Sequence, residues 1–238
     1  MSCPKLKVRP ARDNDWKGIL EVEKRWLKES VRPISKNTFL LWLQTNPAGF
    51  LVAEDEKDCI VGHSYGECVQ FQVNKLNDEN LSIFSRPYDE PMHTAAGNAL
   101  VALNVVGIPG SWGGRTALTS LTNKAKLEGK EWAIFLPRMP GLSAFCQDTR
   151  RSRTMGDLSD KDLAASYAVR SMTKVGGKVL PEILNRANLL NLPSPTEPDP
   201  VLGKLVGKIL GGELCEIIDS GFSDPQSLNL AGLCIKRL

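Results

Sequence analysis

Histidine is scarce in this chain: two of 238 residues, His63 and His93. A histidine-based metal site or a Cys–His catalytic pair has almost nothing to draw on. The six cysteines, Cys3, Cys59, Cys68, Cys146, Cys215 and Cys234, are scattered without a C-x-x-C pair. That spacing argues against a zinc site or a disulfide frame and leaves reduced thiols in the core or at the surface. Long apolar runs are missing too, as is a signal-peptide core at the N-terminus, so the expectation is a cytoplasmic protein with no membrane partner. Neither sign of charge dominates. Thirty Lys and Arg against 27 Asp and Glu leave +3, too little for a nucleic-acid footprint. The one tight basic cluster, Arg150, Arg151 and Arg153, lies in a polar stretch and reads as a solvated loop, with phosphate contact as the alternative.

What the chain does have is a dense mid-sequence unit. Ala99 to Val106 is a β-branched and leucine-rich run interrupted by Asn104, as expected for a strand buried on both faces. From Gly107 to Gly114 four of eight residues are glycine, which frees the backbone to take positive φ and to approach a ligand closely. Ala117, Leu118, Leu121 and Ala125 then form one apolar helical stripe, with Lys124, Lys126 and Glu128 left for solvent and Gly129 ending the helix. A second apolar strand follows at Trp132–Phe135. A helix opening straight from a glycine loop points unpaired N–H groups and its positive dipole end at that loop, a geometry suited to phosphate or diphosphate. The bland reading is a strand–turn–helix connection whose glycines serve chain reversal alone. As a Walker A motif the stretch fails: Pro109 stands where the first Gly belongs and Arg115 where the Lys belongs, and the next strand ends without an Asp for Mg²⁺.

The flanking elements are readable in order. Lys7–Arg12 is a short strand, and Asp13-Asn14-Asp15 supplies N-cap chemistry for a helix that places Trp16, Ile19, Leu20, Trp26 and Leu27 on one core-facing side. Lys36–Gln44 is a second short helix. Phe50–Glu54 and Cys59–Gly66, the latter able to run on toward Gln72, flank the charged turn Asp55–Asp58 as an antiparallel hairpin. Residues 74–97 are a polar loop containing His93, read as a solvated or locally hydrogen-bonded residue rather than a base. Leu142–Cys146 starts a short helix or turn, and Gln147–Lys161 is polar and mobile. Helices follow at Asp162–Arg170, around Leu180–Leu190 and, after the proline-rich connector Pro193–Pro200, at Val201–Leu210 with a Gly211-Gly212 cap. Glu213–Ile218 and Gly232–Lys236 are closing strands joined by the Asp219–Asn229 loop.

With VRPARDNDWKGILEVEKRW as first strand and helix, GFLVAEDEKDCIVGH as second and third strands, and NVVGIPGSWGGRTAL in the place of an acyl-CoA pyrophosphate loop, the chain resembles the GCN5-related N-acetyltransferase (GNAT) superfamily. The segment DPVLGKLVGKILGGELCEIIDSGFSDPQSLNLAGLCI is similar to the subgroup that includes GNAT domains of nitrilase fusions and the GNAT-like decarboxylases of polyketide synthases. The resemblance spans almost the whole chain. It implies an α+β (mixed α/β) fold, a central, mostly antiparallel mixed sheet flanked by helices. It also implies one domain over 1–238, with core strands and the CoA loop in 5–146 and C-terminal helices and closing strands in 160–238. Acetyl-CoA or another acyl-CoA would be the co-substrate, without a metal, and a small-molecule or carrier-bound acyl acceptor the partner.

The residues so implied for the cofactor are the backbone of Val105 and Val106 and the loop Gly110, Ser111, Trp112, Gly113, Gly114 and Arg115. The family pattern Gln/Arg-x-x-Gly-x-Gly/Ala falls on Gly110-x-x-Gly113-x-Arg115, or, shifted by one, sets Gly114 in the second glycine position. Arg115 puts a long cation where the family has a small residue: it either swings out and pairs bidentately with a phosphate or blocks the cradle. In the decarboxylase subgroup the catalytic His, Thr and Arg fall on Leu205, on Leu136 or Pro137, and near Phe222; only Trp26 resembles that site. Apolar replacements supply neither proton donor nor anion clamp, which argues against malonyl decarboxylation. Acetylation needs the thioester held by the splayed fourth strand, around Leu103–Val106, and a base or water chain. Asn104, Ser111, Arg138, Ser143 and Tyr167 are the nearby polar residues, none defensible as the base. Their structural readings are a satisfied buried amide for Asn104, a strand-end ion pair for Arg138 and a surface hydroxyl for Tyr167. The function classes left are an acyl-CoA-dependent acyltransferase and a degenerate relative that binds acyl-CoA or a partner without turnover.

Overall fold

The structure is a computed structural model that describes residues 5–26, 33–76, 81–87, 90–139, 142–152, 158–174, 176–190, 211–220 and 224–238. The connector at Pro193–Pro200 and the helix expected at Val201–Leu210 lie outside them. Two compact units emerge: Met1–Leu76 with Pro87–Ala133 and Leu238, and Asn77–Arg86 with Ile134–Arg237.

In the first unit β1 (Lys7–Pro10), β2 (Phe50–Glu54), β3 (Ile60–Val69) and β4 (Ala99–Gly107) pair antiparallel in that order. Helices α1 (Trp16–Trp26) and α2 (Lys36–Thr45) bury Ile19, Phe39 and Trp42 against Phe50, Val52 and Tyr65 on one face. On the other face α3 (Gly113–Leu127) lays Leu121 and Ala125 on Leu51 and Leu100. Both faces of β2 and β3 are covered, so alternate residues of each strand serve the two layers.

Local chemistry starts and stops these elements. Arg9 forks onto Asp15, Nη1 to Oδ2 at 2.6 Å and Nη2 to Oδ1 at 2.9 Å, and donates from Nε to Glu54 at 2.8 Å, tying β1 to the entry of α1 and to β2. Burial pushes the Asp15 carboxyl up, but the Arg9 hydrogen bonds outweigh it and hold the carboxyl below its usual range. Asp55 Oδ1 accepts from the N–H groups of Lys57 and Cys59, closing the expected hairpin turn, and Gly129 ends α3 at φ 75.

The second unit carries the strands β5 (Trp132–Phe135, entering the unit at Ile134), β6 (Lys178–Val179), β7 (Glu213–Asp219) and β8 (Leu230–Arg237) in the order β5-β8-β7-β6. β6 is parallel to β7, and β7 is antiparallel to β8. Helices α4 (Leu142–Ser152), α5 (Asp160–Thr173) and α6 (Pro181–Leu189) complete it. Together the elements are the mixed α/β arrangement expected, with one two-residue strand, β6, too short to leave a periodicity.

Two expectations fail here. Residues 147–152 continue α4 rather than forming a mobile loop, and Arg150 in its last turn is paired with Asp160 at the start of α5, not merely solvated. Arg153 lies outside the described residues.

The loop glycines also work differently from their expected use. Only Gly110 takes positive φ, at 82°. Gly113 and Gly114 serve close approach between backbones: a Cβ on Gly113 would sit 2.3 Å from the Val61 carbonyl oxygen, and one on Gly114 2.8 Å from that of Val106. Gly62 and Gly107 face them: a Cβ on Gly62 would sit 2.2 Å from Gly113 C, and one on Gly107 2.5 Å from Gly114 N. Gly113→Ala should therefore cost about 3 kcal/mol or more, since two backbones must part. Gly110→Ala, with open space around it, should cost about 1–2 kcal/mol of backbone strain. Urea midpoints of the two variants check the order; the reverse order would mean the glycines are there for φ.

Candidate functional site

Strand β4 carries the site's first feature. Tyr65 pairs with Asn104 but the next residue, Gly66, pairs with Ala102, so Leu103 is an extra residue bulged from the ladder. Such a bulge breaks pairing and re-aims side chains. Ala99–Ala102 are buried, whereas Leu103, Asn104 and Val105 are half-buried. The expectation of a strand buried on both faces therefore holds only for its first half. Val105 pairs with Ser64 and Val106 with His63.

The second feature is the loop entering α3. Ile108 donates its N–H to Val61 O at 2.9 Å, and Ser111 Oγ lies 2.7 Å from Ile108 O and 3.1 Å from Val61 O. The same hydroxyl accepts from the Gly113 N–H at 3.1 Å. Ser111 is thus a loop staple that takes one amide of the helix start. Trp112 caps α3 at φ 65, an uncommon conformation for a bulky residue, with its ring 46% exposed. The Arg115 guanidinium lies over that ring, 4.8 Å from its centroid, on the exposed side of the loop. The N–H groups of Gly114 and Arg115 have no acceptor four residues back, because the first intrahelical bond is Thr116 N–H to Trp112 O.

A third feature was missed in the sequence. Glu23 on α1 and His63 on β3 are both fully buried, with Glu23 Oε1 3.4 Å from His63 Nε2. Asn104 Nδ2 donates to that same oxygen at 3.2 Å, and Ile34 N–H donates to Glu23 Oε2 at 2.7 Å. Among the described residues the buried side-chain atoms with no hydrogen-bond partner are both ring nitrogens of His63, Ser64 Oγ and Asn104 Oδ1. Each such orphan costs about 1–3 kcal/mol, so Asn104 is not the satisfied amide expected. The available signal was a carboxylate standing among the apolar stripe residues Ile19, Val22 and Trp26, and a histidine alternating inward between Val61 and Tyr65.

The remaining polar candidates are structural. Arg138 donates from Nε and Nη2 to Asp224 at 2.6 and 2.7 Å, the strand-end ion pair expected. Tyr167 is fully buried against Phe145, so its expected surface hydroxyl is wrong: α5 is enclosed on most of its circumference. Ser143 is in the first turn of α4, its hydroxyl 3.5 Å from Gln147 Nε2. His93 Nδ1 accepts from Cys68 N–H at 3.1 Å, a partner 25 residues away on β3 rather than a local one, and burial holds its pKa below the usual histidine range. Cys59 is exposed, and Cys68, Cys146, Cys215 and Cys234 are buried free thiols. Burial pushes Cys146 up to about 11 and Cys215 up to about 12, keeping both protonated. No group of three or more His, Cys, Asp or Glu among the described residues could hold a metal ion, and no described helix is long and apolar enough to cross a membrane.

No family model and no curated protein matches the sequence. Solved structures do. The GphF GNAT-like decarboxylase in complex with isobutyryl-CoA is similar over 97% of this chain and 98% of its own, at 19% identity and a TM-score of 0.57. The loading GNATL domain of CurA from Lyngbya majuscula is similar over 98% of both chains, at 14% identity and a TM-score of 0.60. The chain has the GNAT fold. Of the positions where the decarboxylating GNAT-like proteins were expected to carry catalytic groups, Leu205 and Phe222 lie outside the described residues. Pro137 is buried with its carbonyl accepting from Gly232 N–H at 3.2 Å.

The Arg138–Asp224 pair sets a pH-dependent stability. Burial raises the Asp224 carboxyl, but hydrogen bonds from Arg138 and Ser227 overcome this and hold it below the ordinary range. Its stabilisation is therefore complete above about pH 4 and is lost as pH falls through the lowered folded-state value. Arg138→Met should cost about 3–5 kcal/mol at pH 7, by stranding a buried carboxylate, and the gap to the wild type should narrow as pH falls through the lowered folded-state value. Urea unfolding across a series from pH 7 into the acid range measures it.

Proposed function

We propose that this chain is an acyl-CoA-dependent acyltransferase, acting in the cytoplasm on a small-molecule or carrier-bound acceptor. The observation that carries the reading is the start of α3. The N–H groups of Gly114 and Arg115 have no intrahelical acceptor at the positive end of a 15-residue helix. Gly110, beside them, has nothing within 4 Å of where its Cβ would be. A diphosphate fits that donor set, and the outward Arg115 guanidinium is free to fold back onto it bidentately. In this reading Gly110, Ser111, Trp112, Gly113, Gly114 and Arg115 form the diphosphate side, Ser111 and Gly113 as its frame, and the backbone at Val105 and Val106 leads to the acyl group. The half-buried bulge at Leu103, opposite no residue of β3, is the place where β4 has backbone to offer a thioester. The isobutyryl-CoA complex of the GphF GNAT-like decarboxylase supports the reading at the level of fold.

One observation favours the second reading, a binder without turnover: Ser111 already occupies the Gly113 amide, which leaves a smaller cradle than the family's.

Thermal unfolding with CoA, acetyl-CoA and pantetheine tests the grip. At a hundredfold excess over Kd, CoA should add about 2.7 kcal/mol and raise Tm by about 5 °C or more. Pantetheine, which lacks the diphosphate, should do much less, and Arg115→Ala should remove most of the CoA shift. Thiol release from acetyl-CoA then separates an enzyme from a binder. No shift with any acyl-CoA would end the acyltransferase reading and leave a relative that binds a partner.

A further inference from the structure

At the far end of α3 from the glycine loop, about 15 Å along the helix from Gly114, a cavity of about 300 Å³ opens between α3, strands β3 and β4 and the turns that carry Ala48 and Ala95. Its walls are fastened in place. Asn46 donates from Nδ2 to Gly66 O at 2.9 Å and accepts at Oδ1 from Gly49 N–H at 3.1 Å, which holds the first turn. The second is strapped to β3, by Cys68 N–H to His93 Nδ1 at 3.1 Å and Thr94 N–H to Cys68 O at 2.7 Å. Lys130 Nζ closes it, donating to Ala95 O at 2.6 Å and Gly97 O at 2.8 Å. The residues between these walls are short, and the floor is Leu100, Leu121 and the Cys68 thiol. Burial raises that thiol and keeps it protonated, so it packs as a small apolar group.

What the polar lining leaves unspent is mostly donors. Lys130 has committed two of its three N–H groups, and Lys124 Nζ has one contact, with Glu128 Oε1 at 2.8 Å. His93 accepts at Nδ1, so its neutral ring carries the proton on Nε2. Two lysines against one glutamate leave the lining positive. Cations near a helix C-terminus ordinarily answer its carbonyls, but here the N–H groups of Glu128, Gly129 and Lys130 already cap the carbonyls of Lys124, Lys126 and Ala125. Positive donors over an apolar floor fit an anion with an alkyl body, and the volume is at the small end for ligand sites. We propose that this cavity binds a short-chain carboxylate, its anionic end between Lys124, Lys130 and His93 and its chain on Leu100, Leu121 and Cys68. The site is separate from the diphosphate cradle and stands without the acyl-CoA reading.

The test titrates butyrate, hexanoate and octanoate into the full chain, with hexylamine, hexanol and inorganic phosphate as controls, following amide chemical shifts and thermal unfolding. At tenfold its Kd, hexanoate should raise Tm by about 3 °C and shift the amides of Cys68, Leu100, Leu121 and Ala125. The three controls should each bind at least about tenfold more weakly, for want of charge-assisted hydrogen bonds or of an alkyl chain. Lys124→Gln should weaken hexanoate by a similar factor, Glu128→Gln should tighten it, and Ala48→Leu, at an exposed position on the rim, should abolish binding while leaving any CoA shift unchanged. Should Ala48→Leu fail to fold, Lys124→Gln on the half-exposed side of α3 carries the test alone. No carboxylate binding, hexanol or hexylamine equal to hexanoate, phosphate equal to hexanoate, amide shifts confined to the glycine loop, or undiminished affinity in Lys124→Gln would each overturn the proposal. The CoA titration is a separate measurement, so either result can fail without the other.

Discussion

Two backbones can lie directly on each other only where neither carries a side chain, and the placement of α3 depends on that constraint. Gly62 of β3, Gly107 at the end of β4, and Gly113 and Gly114 at the helix start form a seam with no room for a Cβ on either side. The seam fixes the first turn of α3 against the carbonyls of Val61 and Val106, and Ser111 fastens the preceding loop to Val61 from outside. Once the helix start is set, the stripe of Leu118, Leu121 and Ala125 falls on the sheet, with Leu121 and Ala125 on Leu51 and Leu100. Close packing and the direction of the first-turn amides are therefore consequences of the same four glycines. A loop that is glycine-rich for packing delivers unpaired N–H groups to one spot whether or not a ligand uses them, which is why the amides, not the glycine count, carry the functional reading.

The face of the sheet beneath α1 and α2 shows the complementary constraint, that a buried polar group needs a partner. Glu67 is an internal comparison. It lies on β3 four residues beyond His63 and on the same face, equally buried, and it is fully engaged: Tyr65 Oη donates to Oε1 at 2.6 Å and Met92 N–H to Oε2 at 2.7 Å. Tyr65 in turn stacks on Trp42, ring centroids 4.3 Å apart, so this part of the core is both closed and satisfied. His63 is not. The fold thus has the means to pair buried polar side chains on this strand, and the orphaned atoms gather instead where β4 bulges and its side chains become half-exposed. Unpaired buried groups ask for an explanation in a native structure, and a site that binds something polar is one.

Much of the fold was legible because its elements carry strong periodicities and local stops. The hairpin around Asp55–Asp58, the strand entering the glycine loop and the stripe of α3 closed by Gly129 each follow from spacing alone. What failed did so for reasons sequence patterns do not encode. The run Gln147–Ser152 is polar because α4 pairs Arg150 with Asp160 across its exposed side, not because it lacks structure. Tyr167 sits on a helix enclosed on most sides, where no polar face marks an outside. The site was legible only as a loop. Whether a glycine is present for positive φ or for space depends on what lies opposite, and Gly113 faces Val61, 52 residues earlier. Glu23 and His63 are 40 residues apart, one on a helix and one on a strand, and nothing local marks them as neighbours.

The bulge at Leu103 joins these threads. An uninterrupted β4 would continue the burial of Ala99–Ala102 to its end, with every backbone group in the ladder and every inward side chain in the core. Inserting one residue shifts the register by one against β3, so that Asn104 rather than Leu103 stands opposite Tyr65 and reaches Glu23. A one-residue slip exchanges the two faces of a strand; here the exchange is local, and it puts a polar side chain, Asn104, onto the buried Glu23 carboxylate. The same insertion leaves Leu103 without a partner on β3, while Asn104 and Val105 return to the ladder opposite Tyr65 and Ser64. One irregularity in one strand thus brings a polar side chain onto a buried carboxylate, three residues before the glycine seam that positions the first turn of α3.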